Sequence, residues 1–147
     1  MRIGERVGVR RGDTAGPDAG AWLHAWGPAL LWMSLIFFLS SRSTLPGPDD
    51  PLWNTLLKKA GHFLVYAVLA RLYLRALEGT TGTLPRGAWI AWGLAALYAL
   101  SDEVHQGFVP GRHPAIIDGL IDGAGAATAL LIRQPVRESD PAGSAPQ

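Results

Sequence analysis

Three short stretches of this sequence place side chains able to do chemistry in otherwise apolar surroundings. The first is Lys59-Ala-Gly-His62-Phe-Leu-Val-Tyr66, and the second is Asp102-Glu103-Val-His105-Gln106, followed at some distance by Arg112. The third is Asp118 with Asp122. A carboxylate near imidazoles is the material of general acid–base catalysis, so Glu103, His62 and His105 are the candidate catalytic residues. Arg112 suits bidentate capture of an anion. Asp102, Gln106, Asp118, Asp122, Lys59 and Tyr66 complete the candidate binding set. A phosphate-bearing ligand would fit such a site. Imidazole and carboxylate ligands also suit several divalent metals, and His62, Glu103, His105 and Asp118 make one such set. No compact motif such as H-E-x-x-H accompanies them, so neither a metal nor a cofactor is expected.

Helical spacing allows these residues to converge. At about 100° per residue, Asp102, Glu103, His105 and Gln106 cover an arc of roughly 160°, continuous with Tyr98. His62, Tyr66, Leu69 and Tyr73 fall on one stripe, with Arg71 opposite. Asp118 and Asp122 stand at i,i+4, where two bare carboxylates repel; the pair calls for a proton or for a cation such as Arg112 or a histidine. Plainer roles exist for most of these groups. His62 beside Lys58 and Lys59 also fits an ordinary interfacial residue, Asp102 and Glu103 fit a solvated helix end, and Tyr66 and Tyr73 fit packing. Asp122 is harder to dismiss, because it lies about 10 Å along its helix, too deep for a short side chain to reach a surface.

The elements that must hold these groups are apolar. Hydrophobic residues make up 48% of the 147 residues, while charged residues are only 17%, against about 25% in soluble domains. Many of the charges sit in two polar tails, 1–20 and 133–147, expected to be disordered. A net charge of +1 gives no reason to expect a nucleic-acid partner. With no cysteine, disulfides, thiolate catalysis and Cys-ligated zinc are excluded. Arg10-Arg11 resembles a twin-arginine export signal, but the apolar stretch begins ten residues later and ends without a cleavage site.

Between the tails, residues 21–132 form one expected all-α membrane domain, a bundle of four transmembrane helices with spans at about 21–40, 61–77, 88–104 and 115–132. Ala21 to Ser40 contains no Asp, Glu, Lys or Arg and is long enough to cross the roughly 30 Å hydrocarbon layer. Residues 41–57 are too rich in proline for a continuous helix and are expected to be a connector. Ala88 to Leu100 is short for a span, so its helix is expected to continue through residue 106. Val109-Pro110-Gly111-Arg112 fits a type II turn that would fold Arg112 back over the end of the third helix, and His113-Pro114 would open the fourth. Gly119 and Gly123, with Gly125 and the neighbouring alanines, keep the fourth helix thin for close packing, and the Gly119/Gly123 face suits a homo-oligomer. A soluble helical bundle is the alternative, but the first segment has no polar face and the others lack a wide charged stripe.

Loop charges set an orientation. Four spans collect Arg2, Arg6, Arg10, Arg11, Arg75, Arg86, Arg133 and Arg137 on one side, and Arg42, Lys58, Lys59 and Arg112 on the other. The excess of arginine predicts that both termini are cytoplasmic. Arg71 agrees, since it can snorkel toward that side. The three polar stretches then gather at the outer face. Intramembrane charges are costly and mark a bundle interior or a water-filled cavity.

At these residues the sequence resembles the VanZ-like membrane proteins, from about Leu35 to Ile132. The block from Tyr98 to Arg112 is similar to that family's D-E-x-x-Q-x-F-x-x-x-R pattern with a downstream Asp, matched here by Asp102, Glu103, Gln106, Phe108, Arg112 and Asp118. Lys59 to Tyr66 is similar to its K-x-x-H-F-x-x-Y segment, and Phe37-Phe-Leu-Ser-Ser41 fits as well. Two departures stand out: Lys58 where the family often has Asp, and Asp122 where it usually has Asn. The resemblance implies a multi-pass protein of the bacterial plasma membrane, linked to the cell envelope and, for the family's namesake, to low-level teicoplanin resistance. It implies no reaction.

Three functional classes follow. The first is binding or modification of an anionic lipid or wall precursor at the outer face. The second is a non-catalytic scaffold whose polar cluster locks helices together. The third is a carrier using Asp118, Asp122 and His62, which ranks last because no internal repeat is visible.

Overall fold

The computed structural model describes residues 18–43, 47–112 and 115–132. The polar tails expected at 1–20 and 133–147 lie outside the described residues, apart from the last three of the first. The expected helix opening at His113-Pro114 lies outside them too. Among the described residues there are four helices and no strand: α1 (Ala19–Ser40), α2 (Pro51–Thr81), α3 (Gly87–Gln106) and α4 (Ile116–Leu131).

Local sequence sets their ends. Asp18 caps α1 by accepting from the Ala21 amide at 2.6 Å. Asp50 caps α2 by accepting from the Trp53 amide at 2.9 Å. The expected connector at 41–57 is therefore too long, because α2 already begins at Pro51. Pro51 stands in the first turn, where its missing N–H leaves no bond unmade, so the proline start the helix rather than preventing it. Gly82, at φ 74°, ends α2. The third helix runs through the polar stretch to Gln106, as the shortness of its apolar run predicts. Gly111 takes φ 79° and the Arg112 amide bonds to the Val109 carbonyl at 3.1 Å, which closes the expected turn.

The helices run alternately up and down. α2 packs against all three others, whereas α1 and α4 flank it without meeting. The most extensive contact is between α2 and α4, and its cause is local. Gly125 presses on the Phe63 backbone so closely that an added Cβ would run into the Phe63 carbonyl. The tight crossing therefore falls at Gly125; at Gly123 an added Cβ would meet nothing within 4 Å. The core joins Ile36 of α1, the Tyr66–Leu69–Tyr73 stripe of α2, Ala126 and Leu130 of α4, and Ala91, Ala95 and Ala99 of α3. Those alanines recur every four residues, and the same α3 face continues into Asp102, Glu103 and Gln106. The periodicity that buries the alanines also buries the polar groups.

Among the described residues, α1 and α2 are each long and apolar enough to cross a membrane. The outward surface of all four helices is strongly apolar as well. Leu31 is 74% exposed, Trp89 73% and Ile116 88%. Contiguous apolar surface on this scale is rare on soluble monomers and is ordinary where lipid is the solvent.

Candidate functional site

The C-terminal ends of α1 and α3 and the N-terminal parts of α2 and α4 meet at one end of the bundle, and the polar residues divide there into two groups. One lies between α1 and α3. Ser40 donates to Asp102 Oδ2 at 2.8 Å, and the Gln106 amide donates to the same oxygen at 2.9 Å. All three side chains are buried. Ser40 follows buried Ile36 by one helical turn, so it inherits the inward face. Its type and spacing were the available signal for this partner of Asp102, obscured by its place at the end of an apolar run.

The second group lies among α2, α3 and α4. Lys59 Nζ reaches Asp118 Oδ1 at 2.7 Å, with both side chains partly exposed. His62 Nδ1 meets Asp122 Oδ1 at 3.1 Å, and Asp122 is 1% exposed. The two aspartates thus take separate partners, a lysine for Asp118 and a histidine for Asp122. Arg112 serves neither. Its Nε donates to the Arg42 carbonyl at 2.9 Å and its Nη2 to the Leu39 carbonyl at 3.4 Å. The turn expected to fold Arg112 over the end of α3 instead bonds its side chain to the end of α1, where a cation satisfies carbonyls at a helix terminus. Glu103 Oε2 accepts from the Ala115 amide at 2.9 Å. Ala115 is the cap residue of α4 and has no side-chain oxygen of its own for the task, so a carboxylate from α3 caps α4.

The expected catalytic set does not assemble as three. His62 and Glu103 share the α2–α3–α4 group, but His105 turns toward α1. Its Nε2 lies 3.0 Å from Ser41 Oγ, and its ring packs on Phe37 with centroids 4.4 Å apart. The potential metal ligands differ accordingly. His62, Glu103 and Asp122 each bring one ligand atom to within 4.8 Å of the others, whereas the set conceivable from sequence had His105 and Asp118 in place of Asp122.

Among the described residues, three buried side-chain atoms make no hydrogen bond of ordinary geometry: Tyr66 Oη, Glu103 Oε1 and Asp122 Oδ2. Orphaned polar atoms at this depth are costly and call for an explanation. Tyr66 lines a cleft of about 230 Å³ between α1, α2 and α3. Leu39, Leu57 and Val65 give the cleft apolar walls, while His62, Asp102 and Gln106 contribute polar groups and Lys58 and Arg112 contribute positive charge.

Residues 25–134 match the VanZ/LLP1 family. The chain belongs to that family. No curated protein and no solved structure matches it. The family match begins within α1 and takes in α2, α3 and α4 whole, so both polar groups and the cleft lie inside the region that defines a VanZ/LLP1 protein. Together with two helices long and apolar enough to cross a bilayer, membership makes the chain a VanZ-like membrane protein.

Proposed function

We propose that the chain is a multi-pass protein of the bacterial plasma membrane, with four spans and both termini cytoplasmic. In this arrangement its polar end binds or modifies an anionic lipid or wall precursor at the outer face. Arginine asymmetry between the loops supports the orientation. The lengths of α1, α2 and α3, at 22, 31 and 20 residues, support spanning, since about 20 residues cross the hydrocarbon layer. α4 is shorter at 16 residues, and its Leu120 and Leu131 face outward as a lipid-exposed helix requires.

The cleft carries the binding reading. Its walls suit an acyl or prenyl chain, while Lys58 and Arg112 suit a phosphate. The buried Tyr66 hydroxyl makes no hydrogen bond of ordinary geometry among the described residues, although the Asp102 carboxylate lies beside it. A ligand oxygen would satisfy it. The test is thermal stabilisation of the detergent-purified protein by short-chain phosphatidylglycerol against short-chain phosphatidylcholine, for wild type, Tyr66→Phe and Lys58→Gln. Preferential stabilisation by the anionic lipid, weakened in both variants, is the expected result. Equal stabilisation by the two lipids would remove the anionic-ligand reading. In cells, teicoplanin susceptibility and protein level measured together report whether the namesake's envelope phenotype extends to this chain.

A second reading, a non-catalytic scaffold, draws on the Ser40–Asp102–Gln106 and Lys59–Asp118 bonds, which tie α1 to α3 and α2 to α4. On that reading protection falls only as abundance falls.

A further inference from the structure

We infer that His62, Glu103 and Asp122 form a binding site for a divalent first-row cation. Their ligand atoms lie within 4.8 Å of one another; metal–ligand distances of about 2.0–2.2 Å set them at most about 4.4 Å apart around one ion, so a small inward movement of the side chains completes the site. One oxygen of each carboxylate is already fixed. Glu103 Oε2 is held by the Ala115 amide and Asp122 Oδ1 by His62. The other oxygens, Glu103 Oε1 and Asp122 Oδ2, are buried without a partner, on side chains 8% and 1% exposed. A carboxylate oriented by one oxygen and vacant at the other is a preorganised ligand.

Charge leads to the same conclusion. Two carboxylates removed from water need compensation. Lys59 is engaged by Asp118 and Arg112 is bound to the end of α1, and the basic group beside Asp122, His62, meets only its Oδ1. A dication between Glu103 and Asp122 neutralises both and takes up both free oxygens. One imidazole with two carboxylates favours Mn²⁺, Fe²⁺, Co²⁺ or Zn²⁺; the nitrogen ligand disfavours Ca²⁺ and Mg²⁺, and the lack of sulfur disfavours Cu⁺. Three protein ligands leave coordination positions open for water or substrate, the pattern of catalytic rather than structural sites. Glu103 also lines a cavity of about 530 Å³ between α3 and α4, which provides an entry path. His62 also lines the lipid cleft, but the cation site is argued from Glu103 and Asp122, which do not, so this inference does not rest on the lipid reading.

The test uses the full-length, detergent-purified protein, freed of any polyhistidine tag and stripped with EDTA. Co²⁺ is titrated in while visible absorption is followed, and Zn²⁺ and Mn²⁺ are measured by equilibrium dialysis with elemental analysis. Wild type is expected to bind about one ion per chain, with ligand-field bands for Co²⁺ that Zn²⁺ abolishes. Asp122→Asn and Glu103→Gln should each weaken binding by at least about tenfold. His24→Gln, a histidine at the opposite end of α1, should bind as wild type. Wild-type protein that retains no ion above the dialysis blank overturns the inference, whatever the variants do. So does undiminished binding in both carboxylate variants. Cation binding without any preference for anionic lipid would leave this site standing and remove only the cleft's proposed ligand.

Discussion

His62 on α2 and Asp122 on α4 meet through Nδ1 and Oδ1 at 3.1 Å, deep in the α2–α4 contact. The pair stands one turn from Tyr66 on α2 and about one turn from Gly125 on α4. It therefore joins the polar end of the bundle to the closest helix crossing. Removing one partner leaves the other buried and unpaired, and breaking such a pair costs about 3–5 kcal/mol.

The first prediction is that His62→Ala destabilises the protein by that order, whereas Asp122→Asn, which keeps an oxygen at the same place, loses less than half as much. Thermal or denaturant unfolding in detergent, without added metal, measures both. Equal losses in the two variants would mean that the charge of Asp122, rather than its hydrogen bond, supports the fold.

The second concerns the crossing itself. Gly125→Val places branched carbons where the Phe63 carbonyl already lies, so α2 and α4 must part. Overpacking of this kind costs about 1–3 kcal/mol or more. Gly123→Ala has open space at its Cβ and should accumulate and unfold as wild type. Similar abundance of both variants in membranes would contradict the assigned crossing point.

The contrast between these glycines shows what the sequence can and cannot convey. Helix periodicity is a property of one segment, so the shared stripe of Tyr66, Leu69 and Tyr73 was legible from spacing, and the extension of α3 to Gln106 from the shortness of its apolar run. Asp122's depth was legible for the same reason. Partner choice depends on how helices are rotated about one another, which spacing within one helix does not determine. Asp118 therefore takes Lys59 rather than Arg112, and His105 turns to Ser41 and Phe37 rather than to Glu103. The start of α2 was missed for a local reason: several prolines mask the one that sits at a helix start behind an aspartate cap.

A third prediction separates the two ion pairs at the polar end. Lys59 and Asp118 are both partly exposed, and pairs of that kind contribute about 0–1 kcal/mol. Lys59→Gln should therefore leave abundance and unfolding nearly unchanged. If it nevertheless abolishes an envelope phenotype seen for wild type, Lys59 acts on a ligand rather than on the fold.

The last prediction concerns Arg112, whose guanidinium reaches two carbonyls at the end of α1 through different nitrogens. A planar fork can do this; a single ammonium on a flexible stem cannot hold both directions at once. Arg112→Lys keeps the positive charge beside the cleft but gives up at least one charged hydrogen bond, typically about 1.5–3 kcal/mol. Its α1 terminus should fray, seen as faster amide exchange at Ser41 and Arg42, and its unfolding midpoint should fall. Binding of phosphatidylglycerol, measured below that midpoint, should survive better in Arg112→Lys than in Arg112→Gln, because the lysine still presents a cation to a phosphate. Were the two variants to lose binding equally while α1 exchange stayed as in wild type, the forked geometry would belong to ligand capture. Faster exchange with retained binding would assign Arg112 to holding α1 in place, leaving Lys58 as the cleft's anion-binding group.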